Sequence, residues 1–233
     1  MKKILLQGAM DEETDLLIEE VKKLSEYRCY EENGLVFHQG TRNDRVVIVS
    51  KTGMGTVKAG MATSYALLKF QPTMVINQGT AGAQVRELST GDVVLVWEAV
   101  NVNAMRMPKK KMGEGSDPFT WEPRKEYYKA DEQLFEFFVS HEEDYSAGKI
   151  IRGRAATGDI FSREDDRIIW LEEQYNTLCE DMESAAVFEV CERFQIPCMG
   201  LRIISNNELL DEDFNLESAK LLQEFIWKML PLL

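Results

Sequence analysis

The sequence has few of the residues that metal centres and disulfide frameworks need. Its 233 residues include four cysteines, with no C-x-x-C pair, and two isolated histidines, His38 and His141. These numbers argue against a disulfide scaffold and against a histidine-rich metal site. Three of the cysteines lie in apolar patterns, so the sequence predicts buried, reduced thiols.

Signatures of nucleotide cofactors and of nucleic-acid binding are also missing. The chain has no G-x-x-x-x-G-K-[ST] motif, and its glycines do not match a dinucleotide fingerprint, so no cofactor is expected. Lys and Arg number 27 against 40 Asp and Glu, which gives a net charge of -13. This charge argues against nucleic acid or an anionic membrane as a partner. The one basic run, 109–111, is interpreted as a solvated loop.

Long apolar runs are absent as well. No window of 18 apolar residues occurs, which excludes a membrane-spanning helix. The first apolar stretch, 4–7, is too short for a signal peptide and lacks a small-residue cleavage site. We therefore expect a cytoplasmic protein.

What is present is an alternation of strand and helix patterns from end to end. Hydrophobic residues make up 44% of the chain, enough for a sizeable core. No linker or repeat interrupts the alternation, so we predict one α/β domain over 1–233, with a central mostly parallel or mixed β-sheet flanked by helices. The predicted strands are 2–7, 35–39, 46–50, 73–77, 91–102, 149–157 and 198–204, and the predicted helices include 56–70, 131–140, 163–175 and 216–232.

Polar clusters follow several of these strands. Glu183 and Asn206 lie 23 positions apart at the ends of two strands and can face one pocket, because ligands bind beyond the carboxyl ends of strands in α/β sheets. The alternative for Glu183 is a purely electrostatic role at a helix N-terminus. Three acids at 11–13, in the predicted first turn of a helix, are more than a cap requires. A second glycine-rich turn is predicted at 78–83.

Five motifs in this order resemble the nucleoside phosphorylase/nucleosidase superfamily. They are G-A-M-D-E-E at 8–13, N-Q-G-T-A-G at 77–82, T-G-D-x-F at 157–161, E-D-M-E-S-A-A at 180–186 and R-I-I-S-N at 202–206. Within the superfamily the chain looks most like the 5'-methylthioadenosine/S-adenosylhomocysteine nucleosidases. The resemblance implies a three-layer fold and cleavage of the N-ribosidic bond of a purine nucleoside.

The resemblance also implies a role for each matching residue. Glu13 matches the carboxylate that activates the attacking water, and Glu183 matches the one that holds the ribose hydroxyls. Asn206 stands at the position of the family's general acid. The substrate-binding positions are Met182 against the sugar, Phe161 stacked on the purine, the backbone of Ser162 at the purine edge, and Met54, Thr80, Ala81 and Gly82 along the sugar and the back of the pocket.

Water rather than phosphate is the expected nucleophile. Phosphorylases that resemble this family hold phosphate with an arginine just before the glycine turn, and here that position is Asn77. The turn after Gly8 contains no basic residue either. Without cations to bind a dianion, phosphate is a poor co-substrate.

Asn206 is the main departure from the family pattern. The family has an Asp there, which protonates N7 of the leaving adenine, and an amide cannot deliver a proton. Three interpretations stay open: a methylthioadenosine-type nucleosidase in which Glu208 or Asp211 substitutes, a nucleosidase for 6-oxopurine ribosides such as inosine or futalosine, and a nucleoside-binding protein without turnover. Retention of Glu13 and Glu183 argues against the third.

The segment 105–129 is the least regular part of the chain. It contains three prolines and two glycines. It also contains Met112, Phe119 and Trp121, large apolar side chains whose exposure to water would cost free energy. Long loops of this kind are typical of lids and of partner contacts, so we predict a lid or an interface loop. A homodimer is implied by the resemblance alone.

Overall fold

A mixed ten-stranded β-sheet forms the centre of the protein in the computed structural model, which describes residues 2–233. The strands are β1 (Lys2–Gly8), β2 (Ser25–Glu32), β3 (Leu35–Arg42), β4 (Arg45–Lys51), β5 (Met74–Ala83), β6 (Val93–Asn101), β7 (Met105–Arg106), β8 (Glu122–Pro123), β9 (Tyr127–Lys129), β10 (Ile150–Thr157), β11 (Cys179–Asp181) and β12 (Cys198–Asn206). The helices are α1 (Asp15–Lys22), α2 (Thr56–Phe70), α3 (Glu132–Ser140), α4 (Asp165–Tyr175), α5 (Ser184–Phe194) and α6 (Ser218–Met229).

The sheet mixes parallel and antiparallel pairs, and one antiparallel pair, β6 with β12, lies near its middle. Its order is β11-β10-β6-β12-β5-β1-β4-β3-β2, with β9 beside β6, while β7 and β8 form a separate pair. Strands β4, β1, β5 and β12 run parallel to one another. Strand β12 is antiparallel to β6, and β11 is antiparallel to β5. The predicted mixed sheet is therefore confirmed.

One part of the sheet closes on itself. Strand β11 pairs with β10 and also with the end of β5, so β5, β12, β6, β10 and β11 form a ring. At the closure, Gly82 of β5 is paired with Glu180 of β11 on one side and with Asn206 of β12 on the other. The closure brings the ends of strands that run in opposite directions to one place.

Helices cover both faces of the sheet and give three layers. On one face, small residues such as Ala59, Ala62 and Ala66 let α2 pack closely in a core shared with α5. On the other face, α1, α3 and α6 bury apolar side chains such as Leu17 and Phe138. The three-layer α/β architecture that we predicted is confirmed.

Several predicted boundaries hold and two need correction. Helix α2 and the β3–β4 hairpin lie where the patterns place them, and Asp131 caps α3 by accepting from the Leu134 N–H at 2.9 Å. The predicted turn at 78–83 is wrong, because these residues continue β5 and pair with two neighbouring strands. The acids at 11–13 precede α1 instead of forming its first turn.

Within the described residues, no helix combines the length and the apolar character that a membrane crossing requires. The segment 105–129 is mostly irregular, with β7, β8, β9 and one short 3-10 turn. Its Met112 is fully exposed, and Phe119 contacts Trp170 edge to face at a centroid distance of 6.2 Å.

Candidate active site

The polar clusters that follow the strands converge on one cavity. Glu13 follows β1, Met54 follows β4, Phe161 follows β10, Glu183 follows β11, and Asn206 ends β12. Parallel pairing places the ends of β1, β4 and β12 along one edge, and the ring closure at β5 brings the ends of β10 and β11 to the same place. All ten predicted site residues line the cavity: Glu13, Met54, Thr80, Ala81, Gly82, Phe161, Ser162, Met182, Glu183 and Asn206.

Glu13 lies in a closely fitted position between the turn after β1 and strand β5. Only 3% of its surface is exposed. Its Oε2 accepts from the backbone N–H groups of Ala9 at 2.6 Å and Met10 at 3.2 Å. Its Oε1 accepts from the backbone N–H of Thr80 at 2.8 Å and from the Thr80 hydroxyl at 3.0 Å. Four donors therefore fix the carboxylate at the wall of the cavity.

Glycine 79 makes this position of Glu13 possible. A Cβ atom built on Gly79 would lie 2.7 Å from Oε1 of Glu13 and 2.9 Å from Oε2. Those separations are shorter than a van der Waals contact, so no larger residue fits without moving the carboxylate. The glycine in the predicted turn serves a close approach within a strand and not a chain reversal.

Glu183 is the second buried acid of the cavity. It stands directly before α5 but does not cap the helix with its side chain. Its Oε1 instead accepts from the backbone N–H of Gly55 at 2.9 Å. Burial, with Asp181 nearby, raises the pKa of Glu183 to about 8, although Arg202 and the Gly55 N–H act in the opposite direction. The negative charge of Glu13, which lines the same cavity, also contributes to the raised pKa.

A fully buried ion pair stabilises the part of the cavity wall that contains Glu183. Arg202 Nε donates to Asp181 Oδ2, and the Asp181 carboxylate also accepts from the Thr157 hydroxyl at 2.6 Å and from Ser184. Arg202 further donates to the side chain of Asn77. A buried charge that lost its partner would be strongly destabilising, so these contacts keep Arg202 inside the protein.

The cavity wall carries acids and no cations. Among the described residues, none that lines the cavity is Lys, Arg or His. Arg202 is committed to Asp181 and does not reach the lining. A phosphate dianion would find no charged donor there.

Asn206 is held by two neighbours. Its Nδ2 donates to Glu208 Oε1 at 3.2 Å, and its Oδ1 accepts from the Ser205 hydroxyl at 2.9 Å. Because a carboxylate only accepts, Glu208 fixes which end of the amide carries the nitrogen. One N–H and one oxygen lone pair of Asn206 remain for a ligand.

Glu208, which sequence reasoning named as a substitute acid, lines the cavity, whereas Asp211 does not. Glu208 also pairs with Arg163, at 3.1 Å between Oε1 and Nε. At the mouth of the cavity, Phe161 is about half exposed and contacts Phe214 edge to face at 5.6 Å between ring centroids. Phe161 therefore has a free face.

Other lining residues were not predicted from the sequence: Ala9, Met10, Ala83, Gln84, Ile160, Ile168, Glu180, Asp181, Ser205, Glu208 and Phe214, of which only Glu208 was considered as a substitute acid. Glu180 stands inside one of the quoted motifs, and its position opposite Gly82 was hidden because the strand partner of β11 was unknown. Phe214 follows β12 in a stretch without a periodic pattern, so nothing in the sequence pointed to it.

Comparison with known proteins gives a consistent result. The model of the phosphorylase superfamily matches residues 3–230. A 5'-methylthioadenosine/S-adenosylhomocysteine nucleosidase from Oceanobacillus iheyensis is 33% identical over 202 residues, 85% of this chain and 83% of the relative. The same-named enzyme from Geobacillus sp. (strain WCH70) is 31% identical over 205 residues, 88% and 85% of the two chains.

Solved structures of two enzyme types superimpose on the protein. The native structure of futalosine hydrolase from Helicobacter pylori strain 26695 has a TM-score of 0.83 at 25% identity, covering 100% of this chain and 98% of the other. The 5'-methylthioadenosine/S-adenosylhomocysteine nucleosidase of Campylobacter jejuni has a TM-score of 0.83 at 25% identity and full coverage of both chains.

Proposed function

The chain belongs to the phosphorylase superfamily, and from this premise we propose that it hydrolyses the N-ribosidic bond of a purine nucleoside. The observation that carries the proposal is the pair of buried acids, Glu13 and Glu183, on one cavity whose described lining includes no cationic residue. The curated relatives favour 5'-methylthioadenosine and S-adenosylhomocysteine as substrates.

In the proposed reaction, the oxygen of a water molecule bonds to C1' of the ribose while the bond from C1' to N9 breaks. The bonding electrons leave with the purine, which takes up a proton from solvent at N7, and the ribose passes through an oxocarbenium-like state. Glu13 accepts the proton of the water. Its longest hydrogen bond, 3.2 Å from the Met10 N–H, is the one that a water replaces at least cost.

Glu183 is assigned to the ribose hydroxyls. A carboxylate bonded to these hydroxyls stabilises positive charge as it develops on the sugar, as in glycosidases. Met182 is assigned to the sugar, Phe161 to stacking on the purine, and the Ser162 backbone to the purine edge. Met54 and the segment Thr80 to Gly82 are assigned to the remaining wall.

Product analysis tests the proposal. We expect free base and free 5'-substituted ribose from 5'-methylthioadenosine, adenosine, inosine or futalosine, at equal rates with and without phosphate. Base release that requires phosphate would contradict hydrolysis. Absence of base from every nucleoside would favour a binding protein, the alternative against which the retained Glu13 argues.

Asn206 favours 6-oxopurine ribosides as a second candidate substrate class. Its free N–H can donate to a 6-oxo group while its oxygen accepts from N7–H. We expect Asn206→Asp to raise adenine release by about tenfold or more, because the introduced carboxyl can protonate N7 and its neighbour Glu208 favours the protonated form. We expect hypoxanthine release to fall by about tenfold or more, because the amide N–H that donates to the 6-oxo group is lost.

The measurement for this variant is the ratio of adenine to hypoxanthine released from adenosine and inosine. Asn215→Asp makes the same charge change outside the cavity lining and is the matched control. An unchanged ratio in Asn206→Asp, with both substrates still cleaved, would remove Asn206 from base selection.

Glycine 79 offers a test of the position of Glu13. We expect Gly79→Ala to lower kcat by about 100-fold, because the new Cβ must displace the carboxylate by a few tenths of an ångström or more. Gly60→Ala in α2 is the control, since its nearest neighbour would be 3.9 Å away. Equal kcat values in the two variants would show that the position of Glu13 does not matter for the reaction.

We further propose a cytoplasmic homodimer in which a second copy covers the mouth of the cavity and the segment 105–129. Apolar side chains are exposed in both regions, among them Met54, Ile160, Phe161 and Met112. None of the described lining residues comes from 105–129, so an interface role suits the segment better than a lid within one protomer. The molecular mass in solution tests this assembly.

A further inference from the structure

Glu180 is a buried acid of the cavity for which the proposed chemistry has no use. Its side chain is 9% exposed, and it lines the cavity beside Ser162 and Ile168. Its Oε1 is buried and makes no hydrogen bond with any described residue. Burial raises the pKa of Glu180 to about 7, against the opposing effects of Ser162 and Arg167.

An ion pair with Arg167 does not compensate for the burial of the Glu180 carboxyl. The nearest approach, from Arg167 Nη2 to Glu180 Oε1, is 3.8 Å, which is beyond hydrogen-bond length. Arg167 Nε instead donates to the Ser162 hydroxyl at 2.9 Å. A buried polar atom without a partner is costly in a folded protein.

The position of Glu180 in the sheet points to the base of the substrate. Glu180 and Asn206 are the two residues paired with Gly82, one on each side of β5. Gly82 has no side chain to fill the space between them. A planar ring that lies over Gly82 is therefore flanked by a carboxylate on one side and an amide on the other.

We propose that Glu180 determines base specificity by accepting the N1–H of a 6-oxopurine, while Asn206 bonds N7 and the 6-oxo group. This inference rests on the proposed function. A 6-oxopurine presents a donor at N1, whereas adenine presents an acceptor there. An ionised Glu180 thus binds the first and repels the second, and a protonated Glu180 can donate to N1 of adenine.

The protonation state of Glu180 couples base preference to pH. The charged groups that face it are Arg167 from α4 and Asp181 from its own strand, and Asp181 is neutralised by Arg202. Above a pH of about 7 the ionised form prevails, and below it the protonated form does. Preference for the 6-oxopurine therefore rises with pH.

The test compares kcat/KM for matched substrate pairs, inosine with adenosine and 5'-methylthioinosine with 5'-methylthioadenosine, at pH 5.5 and 8.5. The ratio within a pair cancels the titration of Glu183, because the ribose is common to both. We expect the ratio to favour the 6-oxopurine more at pH 8.5. In Glu180→Gln, whose amide can face either base, we expect the ratio to fall by about 10–100-fold and to lose its pH dependence.

Glu173→Gln, an exposed change on α4, is the matched control. Calorimetric binding of free hypoxanthine and adenine is the second measurement and needs no turnover. If no nucleoside is cleaved but Glu180→Gln weakens hypoxanthine relative to adenine, the proposed function fails and the inference about Glu180 stands. If the ratios and both affinities are unchanged in Glu180→Gln, or neither base binds, the inference is overturned.

Discussion

Replacing Glu13 by Gln is expected to lower kcat by about 10²–10⁴-fold, because the amide cannot take the proton of the attacking water. The change should also lower the free energy of unfolding. Each oxygen of Glu13 accepts two donors, and the amide nitrogen of Gln cannot accept from either. The two donors left without an acceptor should lower the free energy of unfolding by about 1–3 kcal/mol.

Steady-state rates and denaturant unfolding separate the two effects. Glu12→Gln is the matched control, since Glu12 is the neighbouring acid and is exposed. It should retain the rate and the stability of the unmodified protein. Retention of kcat within tenfold in Glu13→Gln would show that another group accepts the proton.

Replacing Glu183 by Gln is expected to reduce kcat/KM by about 10–100-fold at pH 8.5, because hydrogen bonds from the ribose to a charged acceptor are lost. The raised pKa of Glu183, about 8, adds a pH signature. In the unmodified protein, kcat/KM should rise with pH as the carboxylate ionises. In Glu183→Gln this part of the profile should be absent.

The contribution of Glu183 to the free energy of unfolding should fall as the pH rises, whereas its contribution to kcat/KM should increase. Between pH 4.5 and about 8, the folded protein keeps a proton on Glu183 that the unfolded chain releases. Stability is therefore lost as the pH rises, by up to about 1.4 kcal/mol per pH unit. Glu183→Gln carries no such group, so its stability relative to the unmodified protein should increase with pH across this window.

Thermal unfolding at pH 5 and pH 9 measures the effect. Glu180 has a raised pKa of its own, but it is present in both proteins and drops out of the difference. Glu192→Gln, exposed on the same helix α5, is the control and should follow the unmodified protein. A difference between Glu183→Gln and the unmodified protein that is the same at both pH values would contradict the raised pKa.

The alternation of strand and helix patterns predicted the α/β architecture, and the strand ends placed Glu183 and Asn206 on one pocket. The resemblance carried by five short motifs implied the three-layer fold and the other residues that line the cavity. The roles of those residues stay predictions. The glycine-rich segment 78–83 was misjudged because glycines usually mark turns. Here Gly79 admits the carboxylate of Glu13, and Gly82 lies between two paired strands. Such requirements come from tertiary contacts that no local pattern records.

Strand β2 was not predicted because it lacks the alternation of apolar and polar residues. Its sequence is S-E-Y-R-C-Y-E-E and nearly all of it is exposed at the edge of the sheet. Charged edge strands of this kind protect a sheet from pairing with other chains. Glu180 escaped notice for a different reason, since its importance depends on the pairing of β11 with β5, which are distant in the sequence.

Strand β5 contributes to both the part of the cavity where the bond would break and the part that would hold the base. Thr80 donates to Glu13, and Gly82 lies between Glu180 and Asn206. Two residues of an extended strand span roughly 6.6 Å. A strand that is hydrogen-bonded on both sides neither stretches nor slips without breaking its ladder. The span from sugar to base is consequently rigid. Substitutions at either end can change which purine is accepted, but compounds with a longer or shorter connection between ribose and base will not fit.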